Sequence, residues 1–242
     1  MTTPGWRVRE AFTIAEFEQV CDVEQSVWGP SEKVDNPHLL RALQDEGALI
    51  AAVELLNPDG GPTGEFVGML FAFPTREAGV QHSHRMGVID GWRGQGIAEE
   101  LKLFQKQWCL GNDITTVRWT FDPLRRTNAR LNIHRLGATA SSFYENHYGE
   151  EEADEVVVYT DRLMANWNLE SGGRPTRIST TLLPIPDNIA HLRARDPLEA
   201  AAWQVRYRSA LPELFANGFV VTDVVETPEA ETASAYLLTQ LW

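Results

Sequence analysis

Two glycines and an arginine lie between a predicted strand and a predicted helix in MGVIDGWRGQGIAEELKLFQKQ, residues 86–107. Gly94 and Gly96 remove side chains where the backbone turns, so that amide N–H groups can be approached closely. The N-terminus of the following helix adds unpaired N–H donors and the positive end of the helix dipole. Arg93 adds a positive charge at the same turn. Together these features predict a binding site for a phosphate or pyrophosphate group.

Two other phosphate-binding motifs do not fit this turn. A Walker A loop requires a Lys followed by Ser or Thr after its last glycine, and GQGIAEELK lacks that pair. The dinucleotide-binding fingerprint requires a small residue three places after Gly96, where this chain has Glu99, and it belongs to a first βαβ unit. A glycine-bearing turn that binds no ligand is the structural alternative.

The composition excludes several broad classes of function. The chain has 242 residues, of which 43% are hydrophobic, so it can bury a sizeable core in one large domain or in one domain with an extension. A formal charge of −13 argues against general binding to nucleic acids or to anionic membranes. Cys21 and Cys109 form neither a disulfide framework nor a CxxC metal motif. Because the sequence shows no signal-type or membrane-spanning apolar run, we expect a cytoplasmic protein without a membrane partner.

The elements that must position the turn alternate between helix and strand. Thr13 and Glu16 predict a capping box at the start of the first helix, and NPDGGPT predicts a hairpin between two apolar strands. The segment NLESGGRPT is the best linker candidate, and it divides the chain into a domain at 1–170 and a C-terminal α/β extension at 171–242. The helix after the glycine turn is the clearest, with an apolar stripe formed by Ile97, Leu101, Phe104 and Trp108.

Arg93, Gly96 and Ala98 form an Arg-x-x-Gly-x-Ala pattern that resembles motif A of the GNAT superfamily, the Gcn5-related N-acetyltransferases. The element order over approximately residues 6–169 is also similar to that family: a strand, two helices, three antiparallel strands, the pyrophosphate helix, then a strand, a helix and strands. Asn128 and the RLG that follows it match a second family segment, and HSHRMGV and YENHYGE are similar to an uncharacterised subgroup of predicted acetyltransferases. The resemblance implies a GNAT-type α/β fold, with a mixed, mostly antiparallel sheet flanked by helices.

The resemblance also implies acetyl-CoA as a co-substrate and indicates which residues hold it. Backbone amides of the turn would bind the diphosphate together with the Arg93 side chain, and Asn128 would contact the cofactor arm. The backbone of the preceding strand would bind pantetheine and the thioester carbonyl, with the Val88 N–H as the oxyanion donor. The predicted cofactor-binding residues are Met86, Gly87, Val88, Arg93, Gly94, Gln95, Gly96, Ile97, Ala98 and Asn128.

Acetyl transfer to a lysine-like amine also needs a base, because such an amine is mostly protonated at pH 7. GNAT enzymes often carry a glutamate on the strand before motif A, whereas here His82 and His84 occupy that strand, two residues apart and on one face. The predicted catalytic residues are His84, His82 and Asp122. Ordinary strand histidines, half of a metal site and a turn-forming aspartate are the alternatives. The tyrosine that often protonates the leaving thiolate is replaced by Ile133.

The sequence therefore predicts an acetyl-CoA-dependent N-acyltransferase that acts by direct attack in a ternary complex, with a small-molecule or peptide amine as acceptor. A non-catalytic acyl-CoA-binding sensor is the alternative, because the usual acid is missing, and a metal-dependent HxH protein is a weaker one. The extension at 171–242 is predicted to pack on the first domain or on a second subunit of a homodimer. The predicted docking face consists of Leu198, Ala201, Ala202 and Val205.

Overall fold

The computed structural model describes residues 5–30, 33–153, 156–170, 177–227 and 232–241. The chain divides into two compact units, Met1–Val117 and Arg118–Trp242. Each unit combines helices with mostly antiparallel strands, which confirms the predicted mixed α/β fold class. Residues 171–176 of the predicted linker lie outside the described residues. None of the described helices is long and apolar enough to cross a membrane.

The first unit contains four antiparallel strands in the order β1-β2-β3-β4. Helix α1 begins at the predicted capping box of Thr13 and Glu16, which is confirmed. Strands β2 and β3 form the predicted hairpin, with Ile50 opposite Phe71. The elements are β1 (Trp6–Glu10), α1 (Ile14–Trp28), α2 (Pro37–Asp45), β2 (Leu49–Leu56), β3 (Pro62–Pro74), β4 (Val80–Val88) and α3 (Ile97–Leu110).

Both faces of this sheet are covered by apolar side chains. Ile50 and Ala52 of β2 belong to the cluster that contains residues of α1 and α2. Leu49, Ala51 and Val53 belong to the cluster that contains residues of α3. Because successive side chains of a strand alternate between faces, β2 is buried on both sides, and Glu54 is the single polar residue among its eight. This burial gives β4, the last strand of the first unit, a packed support.

The second unit contains six strands in the order β5-β9-β6-β11-β12-β10 and a separate hairpin formed by β7 and β8. Its strands are β5 (Thr116–Phe121), which begins at the boundary between the units, β6 (Thr139–Tyr144), β7 (Glu150–Ala153), β8 (Val156–Tyr159), β9 (Arg162–Asn168), β10 (Arg177–Ile185), β11 (Phe219–Glu226) and β12 (Ser234–Leu241). Its helices are α4 (Arg126–Ala129), a π-helical turn (Arg130–Arg135), α5 (Ile189–Arg195) and α6 (Pro197–Ala216).

The described part of the C-terminal extension is built into this second unit. Strand β11 pairs with β6 through Val221 and Ala140, and the Tyr236 hydroxyl donates to the Pro123 carbonyl at 2.8 Å. The face of α6 predicted to dock is not buried within this chain, where Leu198 is 85% exposed, so its docking on a second subunit stays a prediction. The helix instead buries the opposite, larger set of side chains, which removes more apolar surface from water. The buried residues of α6 are Ala200, Trp203, Gln204, Tyr207 and Leu211.

Candidate active site

Three left-handed glycines form the turn between β4 and α3. Gly91, Gly94 and Gly96 have φ angles of 84°, 77° and 83°, in a region that glycine adopts readily and L residues rarely do. A Cβ atom added at Gly94 or Gly96 would meet no heavy atom of the described residues within 4 Å. Both glycines therefore face open space, where a ligand could approach the backbone.

Five successive N–H groups surround this open space. Among the described residues, none accepts a hydrogen bond from the backbone N–H of Gly94, Gln95 or Gly96. Ile97 and Ala98 are the first two residues of α3, and their N–H groups have no acceptor within the helix. The helix dipole adds partial positive charge at the same end. The turn thus has the donors and the electrostatic potential that a diphosphate requires.

The Arg93 side chain connects this turn to the end of β4. Its Nε donates to the Val88 carbonyl at 2.9 Å, and its Nη1 lies 2.7 Å from Asp90 Oδ1. The side chain remains 55% exposed, so it also places positive charge at the surface of the turn. Arg93 therefore braces the backbone that carries the N–H donors.

The last residues of β4 direct polar backbone groups away from β3. Val88 lies opposite Gly68, and the N–H of Ile89 donates to the Val67 carbonyl at 3.0 Å. Because the N–H and C=O groups of successive strand residues point to alternate sides, those of Val88 point away from β3. Those of Met86, two residues earlier, do the same. This side of β4 carries the backbone groups predicted to bind the pantetheine arm and the thioester carbonyl.

Close packing against α1 explains why residue 87 is a glycine. A Cβ atom at this position would lie 3.0 Å from Val27 Cγ2 and 3.2 Å from Trp28 Cη2, so the absence of a side chain allows α1 to pack directly on β4. The close approach supports the strand segment between Met86 and Val88.

His84 is an extra residue in β4. Phe71 pairs with Arg85 and Ala72 pairs with Ser83, so the register shifts at the histidine between them. A β-bulge of this kind bends the strand and re-aims the side chain of the extra residue. The sequence predicted a regular strand here and did not indicate the bulge.

The structure brings the two histidines of β4 together in an aromatic cluster. Their ring centroids lie 6.3 Å apart, His82 stacks on Phe73 at 5.1 Å, and His84 meets the edge of Phe71 at 5.7 Å. His82 is half-buried and His84 is exposed. Among the described residues, no group of three or more His, Cys, Asp or Glu side chains is placed to hold a metal ion.

The pKa of His84 is lowered from its ordinary value. Partial desolvation of the ring is the main cause, and the positive charge of Arg85 acts in the same direction, whereas Asp35 opposes them. The ring is nevertheless exposed on one side, so a substrate can reach it. A lowered pKa keeps His84 neutral at pH 7, which is the form that accepts a proton.

Asp122 and Asn128 lie in the second unit. Asp122 Oδ1 accepts the Leu124 N–H at 2.9 Å, and its Oδ2 accepts a hydrogen bond from Arg193 at 3.1 Å. Both carboxylate oxygens are therefore engaged. Asn128 is the third residue of α4 and is half-buried.

The helix after β5 contains a π-helical turn that the sequence did not indicate. Ile133, at the position of the absent tyrosine, is buried in this turn. His134 faces outward, with its Nδ1 2.9 Å from Asp223 Oδ1. A cavity of about 240 Å³ is lined by Arg130, His134, Asp223, Val224, Val225, Glu226 and Ser234. π-Helical turns are rare and are frequent at functional sites.

Sequence reasoning also missed a buried carboxyl group near Arg85, the residue that follows His84 on β4. Glu24 lies on the buried stripe of α1 with Phe17, Val20 and Cys21, and its neighbours include Asp35 and Arg85. A glutamate at helical spacing within an apolar stripe was the available signal.

Comparisons with known proteins support the fold. No family model matches the chain, and no curated protein matches it in sequence. An N-acetyltransferase from Staphylococcus aureus Mu50 matches in structure with a TM-score of 0.55 and 13% identity, over 69% of this chain and 99% of that chain. The ribosomal-protein-S18-alanine N-acetyltransferase from Escherichia coli matches with a TM-score of 0.54 and 11% identity, over 72% of this chain and 100% of that chain.

A third structural neighbour, Arabidopsis thaliana NAA60 in complex with a bisubstrate analogue, has a TM-score of 0.51 and 12% identity, over 68% of this chain and 99% of that chain. Nearly the whole of each neighbour is therefore matched, while part of this chain extends beyond them. The predicted fold is confirmed: the chain has the fold of the GNAT acetyltransferases.

Proposed function

We propose that this chain is an N-acyltransferase that moves an acetyl group from acetyl-CoA to the amine of a small molecule or peptide. The observation that carries the proposal is the open turn after β4, where the N–H groups of Gly94, Gln95 and Gly96 have no acceptor among the described residues. The GNAT fold of the chain supports the same class of reaction.

Each part of acetyl-CoA has a proposed partner in the chain. The backbone from Arg93 to Ala98 would bind the diphosphate, with Arg93 adding charge. The N–H of Val88 would donate to the thioester oxygen and stabilise the negative charge that develops there during attack. Asn128 would contact the cofactor arm. These backbone donors are fixed by β4 and α3 before the ligand arrives, so they need little reorganisation.

His84 is the proposed proton acceptor. The amine nitrogen attacks the thioester carbonyl carbon, the carbon–sulfur bond breaks, and CoA leaves as a thiolate. His84 takes the proton that the attacking nitrogen loses, and the thiolate takes a proton from water. We prefer His84 to Asp122 because its ring is exposed and neutral, whereas both oxygens of Asp122 already accept hydrogen bonds.

A second candidate function is binding of acyl-CoA without transfer. It is favoured by one observation: a buried isoleucine, Ile133, stands where an acid that protonates the thiolate is usual. Both functions predict binding at the turn, and only the first predicts turnover.

Calorimetric titration with acetyl-CoA tests the binding site. Gly96→Val places a branched side chain in the space of the diphosphate, and Arg93→Glu reverses the charge there. Each change is expected to weaken binding at least tenfold, or about 1.4 kcal/mol. Gly60→Val is a matched control, because Gly60 has a φ of 85° and also faces open space, in the β2–β3 hairpin. Arg76→Glu repeats the charge reversal on another exposed turn. Wild-type affinity in both turn variants would rule out this site.

Release of free CoA thiol in the presence of a panel of amines tests catalysis. His84→Gln is expected to lower kcat by about tenfold to a hundredfold and to leave acetyl-CoA affinity unchanged, because it removes a proton acceptor that acts only in the transition state. Acetyl-CoA binding without thiol release on any amine would favour the sensor. Full activity in His84→Gln would exclude this residue as the base.

A further inference from the structure

Glu24 is a carboxylic acid inside the apolar interior of the first unit. It lies on α1 and is 0% exposed, one turn after the buried Val20 and Cys21. Burying an ionised carboxylate without full pairing is costly, so a buried carboxyl is either neutralised by protonation or matched by a nearby cation.

Among the described residues, the cation that lies near Glu24 serves two carboxyl groups. Arg85 Nη1 lies 4.0 Å from Glu24 Oε2, and Arg85 Nε lies 3.7 Å from Asp35 Oδ2. The same guanidinium donates to the Lys33 carbonyl at 3.2 Å and lies over the Trp28 ring. Both carboxyl distances exceed those of a hydrogen-bonded ion pair. One positive charge at these distances does not neutralise two carboxylates.

Two carboxyl oxygens of this group accept no hydrogen bond from the described residues. Glu24 Oε2 accepts the Asp35 N–H at 2.8 Å, but within the described part of the chain the buried Glu24 Oε1 and Asp35 Oδ2 have no hydrogen-bond partner. Ionised carboxylates only accept hydrogen bonds, whereas a protonated carboxyl can donate one. A single proton on this pair would therefore provide the missing donor.

The electrostatic surroundings agree with a retained proton. Burial, with a further contribution from Asp35, raises the pKa of Glu24 to about 7. The thiol of Cys21 donates to the Asp35 carbonyl at 3.0 Å, and burial raises its pKa to about 12, so it stays neutral. Asp22, on the same helix, adds further negative charge near this thiol.

Asp35 also acts on the proposed base. His84 precedes Arg85 on β4, and the charge of Asp35 favours the protonated form of His84, while Arg85 disfavours it. Because Glu24 contacts both Asp35 and Arg85, we expect a change in the charge of the pair to change how strongly His84 holds a proton.

We propose that Glu24 and Asp35 share a single proton at neutral pH, and that the charge of this pair is a positioning device that tunes the basicity of His84. When the proton leaves for solvent, the pair gains a second negative charge and His84 becomes a stronger base. Glu24 acts through His84 and does not touch the substrate. The sharing of the proton rests on the burial of Glu24 and, among the described residues, on the two unbonded carboxyl oxygens and the single arginine near both groups. Only its catalytic use rests on the proposed function.

Infrared difference spectra of the folded chain, recorded across neutral pH, test the shared proton. We expect the carbonyl stretch of a protonated carboxyl group in the wild type, and its loss in Glu24→Gln. Glutamine keeps the shape and can donate an N–H to Asp35, so this variant mimics the protonated pair and should fold. Glu18→Gln, at an exposed position of the same helix, should retain the band. A band that persists in Glu24→Gln, or that is absent from the wild type, would overturn the proposal.

NMR titration of the histidine rings tests the tuning. The wild type and Glu24→Gln carry the same single negative charge while His84 titrates, so the charge of Asp35 must be removed as well. In Glu24→Gln/Asp35→Asn the pair carries no charge, and because the charge of Asp35 favours the protonated ring, the midpoint of His84 should lie at lower pH than in Glu24→Gln. The midpoint of the exposed His38 should stay in place. An unmoved His84 midpoint would show that the pair does not tune it. Neither measurement requires turnover or acetyl-CoA, so an inactive protein that still shows both effects would contradict only the proposed function.

Discussion

The turn after β4 and the turn after β5 use their polar groups in opposite ways. At the first turn, the described residues supply no acceptor for the N–H groups of Gly94, Gln95 and Gly96. At the second, Asp122 accepts from a backbone N–H within the turn and from Arg193 of α5. The first turn has hydrogen-bonding capacity to offer a ligand, whereas the second has already used its capacity within the fold.

This difference gives a physical distinction between a turn that can bind a ligand and a turn that stabilises the fold. Exposed N–H groups are hydrated at little cost, so a ligand replaces water without breaking a protein contact. A carboxylate paired with an arginine must lose that partner before it can serve a substrate, and the loss destabilises the fold. Glu24 is a third case, because its unpartnered oxygen lies in the interior, where water cannot satisfy it.

The largest expected effect is at a buried, hydrogen-bonded ion pair of the second unit. Asp161, which is 5% exposed, accepts hydrogen bonds from Arg208 Nε and Nη2 at 2.9 and 2.8 Å. Arg208→Met leaves this buried charge unpaired, and we expect a loss of about 3–5 kcal/mol in the free energy of unfolding, measured by urea denaturation.

The control for this variant is a surface ion pair of the same unit. Arg126 and Asp187, at 3.0 Å, have side chains that are 34% and 57% exposed. Arg126→Met should therefore cost less than about 1 kcal/mol. Equal losses of unfolding free energy in the two variants would show that burial does not determine how much each ion pair contributes to stability.

An intermediate effect is expected at Glu24 and depends on pH. Its pKa is raised from an ordinary 4.5 to about 7 in the folded chain. The folded state therefore keeps a proton that the unfolded state releases. This contribution to stability is complete below about pH 4.5 and is lost as pH rises through about 7. Glu24→Gln has no such proton to lose. Relative to this variant, the wild type should lose on the order of 1–3 kcal/mol of unfolding free energy across that interval.

Urea denaturation at pH 4.5 and at pH 8 measures this difference, with Glu18→Gln as the control for removing one acidic group from α1. Parallel pH profiles for the wild type and Glu24→Gln would contradict the raised pKa of Glu24. Such a result would also remove the contrast between an unpartnered group in the interior and one at the surface.

Much of the fold could be predicted because its signals are local. The capping box of Thr13 and Glu16, Pro197 at the start of α6, and the hairpin residues between β2 and β3 each determine structure within a few residues. Strands β6 and β9 were expected only from the family element order and not from their own sequence pattern, because their burial comes from partners distant in the chain. Helix α5 was also missed.

The candidate site also has some features with local sequence signals and others that depend on tertiary packing. The glycine turn could be predicted because positive φ angles and a helix N-terminus leave a direct trace in the sequence. The bulge at His84 and the contact of Asp122 with Arg193, 71 residues away, depend on tertiary packing and leave no such trace. The charge on Glu24 depends on the residues that pack around it.

The smallest expected effect tests the two turns directly. Asp122→Asn keeps an acceptor for the Leu124 N–H and weakens the pairing with Arg193, whose side chain is 21% exposed. We expect a loss of about 1–2 kcal/mol in unfolding free energy, between the values for surface and buried pairs, with acetyl-CoA affinity unchanged.

Gly96→Val should do the reverse. Its acetyl-CoA affinity falls, while its unfolding free energy falls only as much as that of Gly60→Val, since both valines carry the same strained φ. Thermal unfolding and calorimetry on the same samples give both quantities. If Asp122→Asn weakens acetyl-CoA binding as much as Gly96→Val does, then the turn after β5 is also a ligand-binding turn, and its engaged carboxylate is no sign of a structural role.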